Sequence, residues 1–200
     1  HLRLLYLNQY LVVEQVDEQC KLTPIGIAAT HIQEAHSLIL SELLTRDTFR
    51  TLETNNIISV LSVFVPVRIK ENNVFDTLKN TPYFREIEYI KERNEYYKAK
   101  DERYMLDIGE DYTFQTTLCE SVDLWLTLET PAECDNFLRE LSGSGMFTGE
   151  FIKAILKINA IANELSAVCD AHNYIELKQK LDKIPELTMK HVVSNVSLYV

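Results

Sequence analysis

From Phe151 to Leu165 the apolar side chains recur at helical spacing: Phe151, Ile155, Ile158, Ala162 and Leu165. Steps of three and four residues put them on one stripe of a helix, not on one face of a strand. The same spacing returns in Tyr83, Ile87, Ile90, Asn94 and Tyr97, where charged residues cover the other sides. Stripes of this kind must be buried against other helices. Only 5 Gly and 5 Pro interrupt 200 residues, too few for the turns of an all-β chain. Hydrophobic residues make up 46%, more than a disordered chain carries. The expected fold is therefore all-α: an antiparallel bundle of roughly seven helices with a short β-hairpin at the N-terminal end.

Local signals place the pieces. Leu2 to Tyr10 suits a short helix. Tyr10–Val13 and Cys20–Thr23 suit two β-rich runs around the polar Glu14 to Gln19, and Thr23-Pro24-Ile25-Gly26 suits a turn. Residues 1–29 thus resemble the end of a small α+β module, and residues 30–200 the bundle. Thr30-His31-Ile32-Gln33 fits a capping box opening a helix with Ile32, Ala35, Ile39 and Leu43 on its apolar side. Asn55 to Val65 suits a buried helix stopped by Pro66, and residues 66–82 a linker. A charged helix spans Tyr83 to Tyr104, and a polar loop runs from Asp107 to Thr117. Leu118, Val122 and Trp125 mark the next helix. Thr130-Pro131-Ala132-Glu133 is a helix start with a hydroxyl cap, Pro at the first position and Glu at the third. A long helix over 149–170 follows, with Lys153, Lys157 and Glu164 on its polar side and Asn159 and Asn163 at the flank. Two more helices divide near Pro185. The chain starts at His1 in mid-pattern, as a piece cut from a longer protein would.

The formal net charge is −10, which argues against bulk attraction to phosphate. The charge is local, however. Residues 101–140 hold 2 basic side chains, Arg103 and Arg139, against 11 acidic ones. Residues 141–200 hold 6 of each and are neutral. The acidic stretch suits a solvated face or a surface for a basic partner. Cys20, Cys119, Cys134 and Cys169 form no CxxC, so buried free thiols in a reducing compartment are expected, with no metal site. No apolar run reaches the ~18 residues of a membrane span. No GxxxxGK[ST], HExxH or GxSxG occurs, so the chain presents no catalytic constellation of these kinds. His31 and His36, five residues apart, do not share a helix face as two ligands would. The Glu residues of 86–95 suit surface ion pairs with Lys91 and Arg93, and Trp125 suits the core.

Several runs resemble the DSHCT domain of superkiller-type, exosome-associated DExH-box RNA helicases. They are Gly149-Glu150-Phe151-Ile152-Lys153, Lys157-Ile158, Glu164-Leu165, Asn173, Leu177 with Lys178 and Lys180, Leu181, Val192-Val193 and the ending Ser197-Leu198-Tyr199. Upstream, Leu61-Ser62-Val63-Phe64-Val65 is similar to the family's LSCFV segment. Leu22 to Ala28 resembles the segment leaving its winged-helix domain, and Trp125 falls at a family Trp. The resemblance implies that residues 1–29 end a winged-helix-like module. It implies that helix 149–170 is a ratchet-like helix lying across a single RNA strand, with Lys153 and Lys157 standing where the family has Arg. Ala160 replaces a family Glu. A lysine keeps the charge of an arginine but loses its planar fork.

The function so implied is that of a C-terminal accessory domain guiding single-stranded RNA through a RecA-like motor core that lies outside this chain. The nucleic-acid-binding candidates are Lys153, Lys157, Asn159 and Asn163. No cofactor is expected in the chain itself, whereas ATP and Mg are implied for the parent helicase. The implied partners are single-stranded RNA, the RecA-like core and RNA-processing proteins, in a nuclear or cytoplasmic setting, with no membrane. DNA in place of RNA, a viral origin, and a protein-interaction role through the acidic 101–140 surface stand as alternatives.

Overall fold

A computed structural model describes residues 13–16, 19–68, 74–104 and 111–190. Among them the chain forms one hairpin and ten α-helices, and seven of those helices have eight or more residues. The all-α expectation holds.

Strands β1 (Val13–Val16) and β2 (Gln19–Leu22) pair antiparallel, with Val13 opposite Leu22 and Val16 opposite Gln19. The first strand lies later than expected and takes in Glu14 and Gln15. Ladder bonds join backbone groups, so polar residues enter a strand readily once the register allows. The helix expected over Leu2–Tyr10 lies outside the described residues. Helix α1 (Pro24–Ala29) begins where a turn was expected: Thr23 Oγ1 accepts from Gly26 N at 3.1 Å, with Pro24 at the first position.

The capping box expected at Thr30 is not formed. The Thr30 hydroxyl donates back to Ile27 O at 2.7 Å and closes α1. Gln33 N donates to the Glu164 carboxylate at 3.0 Å instead of to Thr30. Helix α2 therefore starts at Ser37 and runs to Thr45, with His36 as its N-cap. Ile32 and Ala35 are still buried, but from a loop.

Helices α3 (Asp47–Arg50) and α4 (Thr54–Ser62) follow. Every residue of α4 from Ile57 to Ser62 is buried. The expected linker over 66–82 contains a 3-10 helix, Val74–Asn80, held by buried Leu78 and by Phe75 against Phe84 with ring centroids at 5.3 Å. Helix α5 (Phe84–Tyr104) buries Ile87, Ile90, Asn94 and Tyr97, with Tyr83 just ahead of it.

The ion pairs of α5 differ from expectation. Two of them cross from α5, one to Glu42 of α2 and one to Arg46 just after it. Glu86 is 1% exposed and accepts from Arg46 Nε at 2.8 Å. Arg93 grips Glu42 with two bonds, at 2.7 and 2.6 Å, and Tyr97 OH donates to the same carboxylate at 2.5 Å. A fork of two parallel donors fixes orientation as well as charge.

Helices α6 (Thr117–Thr127), α7 (Pro131–Gly143), α8 (Thr148–His172), α9 (Ile175–Asp182) and α10 (Ile184–Thr188) complete the chain. Helix α8 has 25 residues, about 37 Å of length. It packs against α2, α4, α7, α9 and α10. Trp125 of α6, Phe137 of α7 and Phe151 of α8 form an aromatic triangle with centroids 5.3 to 5.6 Å apart. Trp125 is 2% exposed, in the core as expected, and its Nε1 donates to Thr188 O at 2.9 Å.

Candidate nucleic-acid interface

Helix α8 is fixed by its two ends and its apolar stripe. Glu150 sits in its first turn, where the positive end of the helix dipole favours a carboxylate, and also accepts from Arg68 N at 2.7 Å. Asn173 ends it in the left-handed region, φ 58°, a conformation Asn tolerates better than most residues. Phe151, Ile155, Ile158, Ala162 and Leu165 are all buried, as their spacing predicts. What the stripe leaves uncovered is the candidate interface.

The four candidates do not share one face. Lys153 and Asn163 are exposed. Lys157 lies one turn beyond Lys153, half-buried, with Nζ 2.5 Å from Glu34 Oε2. Asn159 points elsewhere: it is 7% exposed and its Oδ1 accepts from Thr188 Oγ1 at 2.9 Å. At 100° per residue it stands about 120° around the helix from Lys153. It belongs to the junction with α10, beside the Trp125–Thr188 bond.

Two features of this face escaped the sequence reading. Leu156, 41% exposed, and the less buried Ala160 and Ala167 line up with Asn163. Positions 156, 160, 163 and 167 have helical spacing of their own, a signal that emerges once the buried stripe is subtracted. The second feature is the loop between α1 and α2. Glu164 Oε2 accepts from Gln33 N and Glu34 N, both at 3.0 Å, and Glu34 in turn pairs with Lys157. These partners are more than a hundred residues apart, so no local pattern marks them. Here, Glu34 pairs with Lys157, and Glu164 holds the backbone of the loop that carries Glu34.

Three other cations of the C-terminal third are committed to the fold. Lys180 Nζ donates to Arg50 O and Leu52 O at 3.0 and 2.8 Å. Lys190 Nζ donates to the carbonyls of Trp125, Leu126 and Leu128 at the end of α6. Burial lowers the Lys190 pKa from its ordinary value. Lys178 is held by Asp182 and Asp170, and its pKa is raised chiefly by the bond to Asp182.

The acidic stretch is also partly spent inside. Asp123 accepts from Tyr83 OH at 2.5 Å and from Ser59 Oγ. Asp101, 8% exposed, accepts from Tyr112 OH. Glu120 accepts from Thr77 Oγ1 at 2.6 Å. Glu133 caps α7, accepting from the backbone N–H groups of Thr130 and Glu129, which hold its pKa below the usual range. Asp107 and Glu110 lie outside the described residues.

No group of three potential metal-ligating side chains occurs among the described residues. Cys119, Cys134 and Cys169 are buried free thiols. Burial pushes Cys119 and Cys169 up to about 12. Among the described residues no helix is long and apolar enough to cross a membrane.

Compared with known proteins, the chain matches one family model, the DSHCT (NUC185) domain, over residues 19–195. No curated protein matches it.

Proposed function

The chain belongs to the DSHCT family of helicase-associated C-terminal domains, and on that premise we propose that it guides a single RNA strand along α8 while an ATP-driven motor core moves the strand. The observation that carries the proposal is the uncovered face of α8. A 25-residue helix gripped by five others presents Lys153, Leu156, Lys157 and Asn163 on its open side. Two ammonium groups one turn apart match successive phosphates of one strand, and Leu156 with the small Ala160 gives bases a smooth apolar surface.

The pairing of Lys157 with Glu34 keeps the grip weak. Strand affinity then comes mainly from the motor, and α8 supplies direction. ATP and Mg²⁺ belong to the RecA-like core of the parent protein, since this chain has no phosphate-cradling loop of the GxxxxGK[ST] kind. RNA-processing proteins are the further partners proposed, in the nucleus or cytoplasm.

The test is Lys157→Glu in the intact protein. RNA-stimulated ATP hydrolysis is expected to need about tenfold more RNA for half-stimulation, one charge-assisted phosphate contact being lost. An unchanged RNA dependence would remove α8 from the path of the strand. Competition with matched DNA and RNA oligonucleotides on the same protein decides which strand it handles.

A further inference from the structure

We infer that Glu34 is the resident anion of the Lys157 site, a carboxylate that an incoming strand phosphate must displace; this rests on the assignment of α8 to a single RNA strand. Lys157 Nζ and Glu34 Oε2 are 2.5 Å apart, with the side chains 31% and 40% exposed. The pair is tight yet open to solvent, so a phosphate can reach it. The Glu34 backbone is held in place. Its own N–H and that of Gln33 are both bonded to Glu164 Oε2 at 3.0 Å, and Glu164 projects from α8 two turns beyond Lys157. The loop is thus anchored by its backbone to the same helix that carries Lys157. That anchor does not use the Glu34 carboxylate, so the carboxylate can leave while the loop stays docked. Lys153 forms no ion pair among the described residues and is available at once. The strand therefore meets one free cation and, a turn later, one that exchanges a carboxylate for a phosphate.

The exchange has a thermodynamic signature. A phosphate that docks on a solvent-exposed lysine releases its counterions. At Lys157 the freed Glu34 takes up a cation, and the net release shrinks. Neutralising Glu34 should restore it.

The experiment is fluorescence anisotropy of a labelled oligouridylate on the intact protein over a salt series, with Glu34→Gln, Lys157→Gln and the double variant. Circular dichroism and thermal melting check that each is folded. Glu34→Gln is expected to bind about two- to fivefold tighter, the span of an exposed ion pair. Its log affinity should fall with log salt more steeply by about 0.7. In the Lys157→Gln background Glu34→Gln should change little. If Glu34→Gln tightens binding equally in both backgrounds, Glu34 is only a general repulsive charge and the inference fails. If Lys157→Gln weakens binding while Glu34→Gln leaves it unchanged or weaker, the inference fails and α8 keeps its role. If a further variant, Lys153→Gln, and Lys157→Gln both leave binding unchanged, the strand assignment itself falls and takes the inference with it.

Discussion

Glu86 is the residue on which the α2–α5 contact turns. Its carboxylate is 1% exposed and is met by Arg46 through two bonds, at 2.8 and 3.3 Å. Arg46→Ala leaves that charge in the core without its counter-ion and is expected to cost about 2–3 kcal/mol. In a domain of this size that lowers Tm by about 5–10 °C, read by thermal denaturation. Replacing both partners by apolar residues should recover most of the loss. The pair was not legible in the sequence, because its members are 40 residues apart and Glu86 has basic neighbours on its own helix. The thiols add a pH dependence. Burial raises Cys119 from the ordinary 9.0 to about 12, so the folded state prefers the neutral form. That preference stabilises fully below about pH 9 and is lost as pH rises toward 12. Urea titrations followed by Trp125 fluorescence should show stability falling from about pH 9 upward, and falling less steeply in Cys119→Ala.

Two short sequences with the same capping pattern behave oppositely at the level of the element. At α7 both reciprocal bonds form: Glu133 N donates to Thr130 Oγ1 at 3.3 Å, and Thr130 N donates to Glu133 Oε2 at 2.9 Å. Thr30 and Gln33 have the same spacing and form neither. Glu164, 131 residues away, takes the Gln33 N–H that a cap at Thr30 needs. Thr130→Ala is expected to destabilise by about 1 kcal/mol, and Thr30→Ala by under about 0.5, in denaturant unfolding. Local pattern thus predicts a cap only where no distant group competes for its donors. The stripes were legible for the converse reason. Tyr83, Ile87, Ile90, Asn94 and Tyr97 lie three or four residues apart, and their burial follows from helix geometry alone.

The molecule as a whole is organised around α8, which five other helices grip. Phe151, fully buried in the aromatic triangle, ties α8 to α6 and α7. Phe151→Ala is expected to cost about 3–5 kcal/mol and to shorten the exchange lifetimes of α8 amides most, measured by hydrogen exchange. Lys153 and Lys157 were legible as outer-side positions because charge and period marked them, whereas Asn159 and Asn163 both stood at the flank and only Asn163 is exposed. Asn159 could not be placed, since a polar residue at the edge of a stripe faces either way until its partner, here Thr188, is known. Glu34 could not either, at 123 residues from Lys157. The open stripe of α8 has one more consequence. Positions 153, 156, 160, 163 and 167 contribute little to packing, so they form a writable surface on a fixed scaffold. Saturation mutagenesis should find them the most tolerant positions of α8 for folding.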